Sequence, residues 1–218
     1  MITEIISGFL FLFIIIILII NGKFGYKVIS NLDPDAKLQE INKNPKRFKI
    51  GTILALTEHF SIIALAISLF IAFNSYGIIL AVIWTISRTA EGTIQIYNKK
   101  NYWELLNTAK KYSKASGTEK KSLSDLALSI LKTKNTVFSF AQILFSIGTL
   151  SYSILFVTTG VVPEIIGWFG TIASITYGLG NVIQLAKPNF KALWSLGGLL
   201  IWVFEIILGS WLLLSPII

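Results

Sequence analysis

Arg88, Glu91 and Gln95 are three and four residues apart, the spacing that stacks side chains on one face of a helix. Glu58 sits beside His59, and Glu205 lies in another apolar stretch. A guanidinium in such surroundings can hold an anionic group or a carboxylate. The carboxylates can pair with it or carry protons. Three Glu and one His set against one Arg leave carboxylates in excess, to be protonated, solvated or bound to something. An unpaired charge at mid-membrane costs at least about 2.5–3.5 kcal/mol, so Arg88 needs a partner, and Glu91, Glu205 and Glu58 are the candidates. The alternative to a ligand- or proton-handling site is a structural ion pair with hydrogen-bonded neighbours. His59 by itself fits an interior, hydrogen-bonded histidine as well as a ligand.

Much other chemistry is excluded by composition. There is no cysteine and one histidine, so neither a zinc site nor a heme held by two histidines can be assembled. No metal and no cofactor is expected. No glycine-rich phosphate loop with its lysine and no Gly-x-Ser-x-Gly elbow occurs. The histidine has no serine motif to match, which argues against an intramembrane serine protease. No lysine lies deep in an apolar stretch, which removes a Schiff base. Carboxylate chemistry on a lipid stays open.

These residues must be positioned by membrane helices. Hydrophobic residues make up 54% of the 218 and charged residues 14%, against roughly 25% charged in soluble proteins. Six stretches approach the roughly 20 apolar residues that cross a bilayer, at about 5–21, 51–73, 76–97, 135–157, 163–185 and 192–214. The first has no basic residue before it and no small-x-small cleavage site after it, so it is expected to be a retained anchor. Lysine and arginine crowd the first, third and fifth connections and are missing from the second and fourth and from both tails. Basic connections face the cytoplasm, so both termini are expected outside. This accounts for the +8 formal charge without nucleic acid. The fold expected is all-α, one six-helix transmembrane domain over 1–218.

Five of the six stretches carry a polar or small-residue stripe. Besides Glu58 and Arg88, these hold Gln142 with Ser139 and Ser146, then Tyr177, Asn181 and Gln184, then Trp202 and Glu205 with Gly198 and Gly209. The first stretch has almost nothing polar after Ser7, so it is expected toward lipid, outside a five-helix polar interior. Arg88 and Glu205 fall near mid-membrane. Glu58, Glu91, Gln95, Gln142, Asn181 and Gln184 fall in the cytoplasmic half, which suggests a pocket open to the cytoplasm. Small residues such as Gly170, Ser174 and Gly178 fit close-packing seams.

The cytoplasmic connections carry their own signals. Asp33-Pro34 and Asn44-Pro45 each combine an N-cap with proline at the first helical position. They predict a short helix through Ile41 and the start of the second span. The connection 98–134 has a capping-box spacing at Asn101 and Glu104 and a further start near Thr118. It is expected to form amphipathic helices in the headgroup layer, its lysines facing anionic lipid headgroups.

The chain resembles the prokaryotic integral membrane family catalogued as domain of unknown function 4386. The resemblance is carried by Asn44-Pro45-Lys46-Arg47-Phe48-Lys49-Ile50-Gly51, by Arg88, by Gly160-Val161-Val162-Pro163-Glu164-Ile165-Ile166-Gly167, and by Glu205 with Trp211-Leu212-Leu213. Glu164 departs from the basic residue expected after that proline. The resemblance covers nearly the whole chain, implies a multi-helix fold in a prokaryotic plasma membrane, and supplies no catalytic residues.

Three functions are compatible with these residues. The leading one is a binding, accessory or regulatory membrane protein, expected to pair its polar stripes internally and leave no sizeable cavity. A small-solute or proton-linked transporter or channel predicts a wet cavity reaching Arg88 and Glu205. A membrane-embedded lipid enzyme predicts two carboxylates converging beside an opening to lipid. In each, Arg88, Glu91, Glu205, Glu58 and His59 are the ligand- or proton-binding candidates. Gln95, Gln142, Tyr177, Asn181, Gln184 and Trp202 are the pocket-lining ones. The bilayer is the expected partner, with an unidentified small molecule or lipid as possible ligand.

Overall fold

The structure, a computed structural model, describes residues 2–24, 26–187 and 190–215. Among them the ordered elements are helices: α1 (Ile2–Lys23), α2 (Pro34–Lys43), α3 (Pro45–Phe73), α4 (Ile78–Tyr112), α5 (Gly117–Thr159), α6 (Glu164–Ala186) and α7 (Ala192–Leu214). A single 3₁₀ turn, Asn74–Tyr76, joins α3 to α4. Among the described residues four segments are long and apolar enough to cross a membrane: α1, α3 with its 3₁₀ turn, α5 and α7. The other two long helices, α4 and α6, fall short of that apolarity. Their interior stripes, with Arg88 and Glu91 on one and Asn181 and Gln184 on the other, lower the average.

The helix starts follow local chemistry. The Asp33 carboxylate accepts the Ala36 N–H at 3.0 Å and the Asn44 side chain accepts the Arg47 N–H at 3.1 Å. Each satisfies a donor that a helix N-terminus leaves free. At the other end of the bundle, α5 stops at Gly160, whose φ of +67° suits glycine. Pro163 then leads into α6.

Six helices close into a ring in the order α1, α3, α4, α5, α6, α7 and back to α1. This corrects the expectation for the first span. Instead of lying outside a five-helix bundle, α1 is wedged between α3 and α7, with Ser7, Phe11, Ile14 and Ile17 buried. An all-apolar helix shows no stripe in sequence, because its buried and lipid-facing residues are chemically alike. Gly8 makes the wedge possible: a methyl there would sit 2.6 Å from the Gly209 carbonyl oxygen and 2.7 Å from the Leu213 nitrogen.

The connection 98–134 also differs from expectation. It forms no separate interfacial helices. The 35-residue α4 and the 43-residue α5 run straight through it, about 52 and 64 Å long at 1.5 Å per residue, against a hydrocarbon layer of about 30 Å. Their ends form an antiparallel hairpin that extends from the bundle, and α2 packs across it. Asn101, expected to cap a new helix, lies mid-helix and donates to Asn98 at 2.8 Å. The hairpin has its own core, where Leu38 and Ile41 of α2 meet Leu105, Ala109, Ile130 and Leu131.

The ring interior divides in two. Toward the α3–α4 and α5–α6 turns it is filled by rings. Tyr152 stacks on Phe204 at 6.0 Å and meets Phe11 and Trp84 edge-on. Toward the hairpin the filling stops and a cavity opens.

Candidate functional site

The cavity measures about 410 Å³, and six helices contribute to its wall. Glu58, His59 and Ile62 come from α3, Arg88 and Glu91 from α4, Gln142 and Phe145 from α5, Tyr177 from α6, Trp202 and Glu205 from α7, and Ile14 from α1. All five residues predicted to bind a ligand or proton therefore face one space. Of the predicted lining residues, Gln142, Tyr177 and Trp202 join them. The wall is mainly apolar and aromatic with a few polar groups, as small-molecule sites are.

The charges in it are unevenly matched. Arg88 and Glu91 form an ion pair at 2.8 Å within α4, both buried. The guanidinium also lies 4.2 Å from the Phe145 ring centre, over its face. Gly148 permits that position, since a methyl there would come within 2.7 Å of the Arg88 Cγ. Of the three candidate partners, Arg88 thus takes Glu91. Among the described residues, neither Glu58 nor Glu205 has an ion-pair partner. One oxygen of Glu58 and both ring nitrogens of His59 are buried without a hydrogen bond. Such groups are uncommon in folded proteins, and here three of them lie on one cavity wall.

The other predicted lining residues lie elsewhere. Gln95 belongs to a ladder along α4, accepting from Asn98, which also donates to the Lys134 carbonyl on α5 at 3.2 Å. Asn181 bonds back to the Tyr177 carbonyl at 2.8 Å. Gln184 lines a separate cleft of about 240 Å³ with Asn135 and Lys191. Spacing put these three on the correct helix face, but their positions along the helices carry them toward the hairpin, outside the cavity lining.

Residues that sequence reasoning missed close the cavity toward the hairpin. The segment 26–30, between α1 and α2, lies across its mouth, and Tyr26 and Val28 line it. The Lys99 ammonium donates to the Tyr26 hydroxyl at 2.6 Å, and the Tyr26 ring stacks on Tyr102 at 5.0 Å. Lys134 donates to the carbonyls of Lys27 and Val28, and Asn135 exchanges two hydrogen bonds with the Ser30 backbone. Burial raises the Tyr26 and Tyr102 phenols above the ordinary value of 10.0, so both stay protonated donors at neutral pH. Lys99 and Lys134 are 2% and 1% exposed. They are structural, and cannot be the lysines offered to lipid headgroups. The only sequence signal for the clamp is a short run of aromatic and apolar residues, Phe24, Tyr26, Val28 and Ile29, in the loop after α1, too little to find it.

A second cleft adjoins the mouth from the side. This cleft, between the end of α1 and the start of α7, is lined by Leu18, Tyr26, Val28, Trp194 and Trp202, all shared with the cavity, and by Lys27. The two helices touch at Gly8 and Gly209.

No curated protein and no solved structure matches the chain. Residues 6–215 match the family described as Domain of unknown function (DUF4386), which is the family the sequence resembles, and the chain belongs to it.

Proposed function

We propose that this chain is a six-span membrane protein that binds a small amphipathic molecule inside its helix ring. The observation that carries this reading is the cavity of about 410 Å³ in which Arg88, Glu91, Glu205, Glu58 and His59 meet an otherwise apolar wall. An accessory protein whose stripes pair internally would have no such space. The cleft between α1 and α7 gives the ligand a route from the lipid.

Support for six spans comes from the outer surface. Ile79, Ile83 and Ile86 on α4 and Ile172, Ile175 and Leu179 on α6 are exposed apolar residues, like those on the other four long helices. Alongside them, Arg88, Glu91 and Gln95 of α4 and Asn181 and Gln184 of α6 are buried. With the lysine distribution, this favours both termini outside and the hairpin in the cytoplasm of a prokaryotic plasma membrane. The exposed lysines of the hairpin, such as Lys110, Lys111 and Lys121, suit anionic headgroups.

A second reading, proton-linked transport, is favoured by the two carboxylates without ion partners in a space adjoined by a side cleft. Native mass spectrometry tests the shared core of both. Gly198 lines the cavity, and a methyl there meets only Tyr177, at 3.6 Å. Gly198→Leu therefore places its bulk in the cavity from a position where the first added carbon meets no clash. The wild type is expected to retain an endogenous molecule that the folded variant lacks. A wild type that never retains one, in mild detergent and in lipid discs, overturns the reading.

A further inference from the structure

Resting on the interior-binding reading, we infer that the ligand is a lipophilic organic cation, an ammonium-type head on an apolar body, with Glu205 as its counter-ion. Three carboxylates from three helices, Glu58, Glu91 and Glu205, line the cavity, against one guanidinium. Arg88 is already held by Glu91 at 2.8 Å and by the Phe145 ring. The other cation close by is Lys99, which lies behind the Tyr26 ring, donates to its hydroxyl and does not line the cavity. Counting Lys99 against Glu58 still leaves Glu205 uncompensated.

Glu205 is 7% exposed, and among the described residues it has neither an ion pair nor a hydrogen bond. A carboxylate in that position is strongly disfavoured unless a cation or a proton reaches it. Glu58 of α3, 5% exposed and also without an ion-pair partner among the described residues, adds a second carboxylate to the lining of the same space. Trp202, one helical turn from Glu205, contributes an aromatic surface of the kind that attracts ammonium groups. An anionic ligand would meet three carboxylates in the same wall and an Arg88 whose charge is already paired with Glu91.

The test uses three cage compounds of one shape and different charge: 1-aminoadamantane, 1-adamantanol and 1-adamantanecarboxylate. Binding is measured by equilibrium dialysis at pH 7 to the full chain in phosphatidylcholine discs, with empty discs subtracting partition into lipid. The amine is expected to bind at least about tenfold tighter than the alcohol, a difference of about 1.4 kcal/mol, and the carboxylate most weakly. In Glu205→Gln the amine is expected to fall to the alcohol's affinity while the alcohol is unchanged. The wild-type ordering stands as a test even if that variant fails to fold, and Glu58→Gln supplies a second variant with a smaller expected loss. Equal binding of amine and alcohol, or tightest binding of the carboxylate, overturns the cation assignment and leaves interior binding intact. Saturable binding of none of the three overturns both.

Discussion

Arg88 and Glu91 close their charges on each other at 2.8 Å, one turn apart on α4. The pair needs no second helix to form, so it frees the carboxylates on α3 and α7 for other partners. It also makes each member dependent on the other. Glu91→Gln strands a buried guanidinium and is expected to destabilise the protein by about 3–5 kcal/mol. Replacing both together, as Arg88→Met with Glu91→Leu, removes the stranded charge and should recover most of that loss. Reversible unfolding in mixed micelles measures both. A double variant no more stable than Glu91→Gln would show that Arg88 does more for the fold than neutralise Glu91.

The seam between α1 and α7 is steric. Gly8→Ala puts a methyl against the Gly209 carbonyl and the Leu213 amide, both backbone atoms that cannot swing aside. The expected loss is about 1–3 kcal/mol. Gly22→Ala on the same helix has nothing within 4 Å and should lose nothing, since alanine is the better helix former. Thermal denaturation of the two variants side by side compares the sites directly.

Asp35 ties α2 to the hairpin, accepting the Tyr112 hydroxyl at 2.9 Å. Hydrogen bonds from Ser124 and Tyr112 hold its carboxyl below the ordinary value of 3.8. Because the native value is depressed, its contribution to stability is complete above about pH 4–5. It fades as the pH falls through the ordinary value and then through the lower native one. Asp35 is exposed, so the effect is modest. Stability measured from pH 6 to pH 3 should fall less steeply in Asp35→Asn than in the wild type, with Tyr112→Phe between them. Equal slopes in all three would show that this contact does not sense acid.

The clamp across the mouth should loosen when Asn135 is cut back. Asn135→Ala removes both bonds to the Ser30 backbone and leaves that amide and carbonyl without their partner, at a cost of about 1–3 kcal/mol for the segment. Amide exchange at residues 28–31 is expected to quicken about tenfold or more, with the far end of the ring unchanged. Unchanged exchange at these amides would mean that Lys134 and Lys99 hold the segment without it.

A chain with no cysteine is convenient for topology. Asn42 on α2 and Thr159 at the end of α5 are both exposed and lie at opposite ends of the ring. In intact cells an impermeant maleimide should label Thr159→Cys and spare Asn42→Cys until the membrane is opened. The reverse pattern would invert the orientation proposed above.

The features legible in sequence were the local ones. Asp33 and Asn44 cap helices because the cap is a relation between residues three apart. Arg88, Glu91 and Glu58 were recognisable because charge is rare in apolar helices. What sequence could not show is where chain segments distant from each other meet. Asn135 and Ser30 are 105 positions apart, and no local pattern announces that a loop lies across the mouth. Lys99 and Lys134 looked like exposed cytoplasmic lysines for the same reason. The break inferred at Asn101 came from a cap spacing that a long helix can carry harmlessly in its middle. Position along the helix explains why Gln95, Asn181 and Gln184 share a face with the cavity residues and still lie outside the cavity, toward the hairpin.

At Gly8 and Gly209 the backbones of α1 and α7 approach closely enough to fix their spacing at one point. Leu18, on the rim of the side cleft, lies ten residues along α1, about 15 Å from it. A tilt of roughly 10° about that point carries the rim through about 3 Å, enough to change whether a ring-sized group passes. A substitution at Gly8 that tilts α1 would therefore shift the rim of the cleft proposed as the ligand's route without touching it.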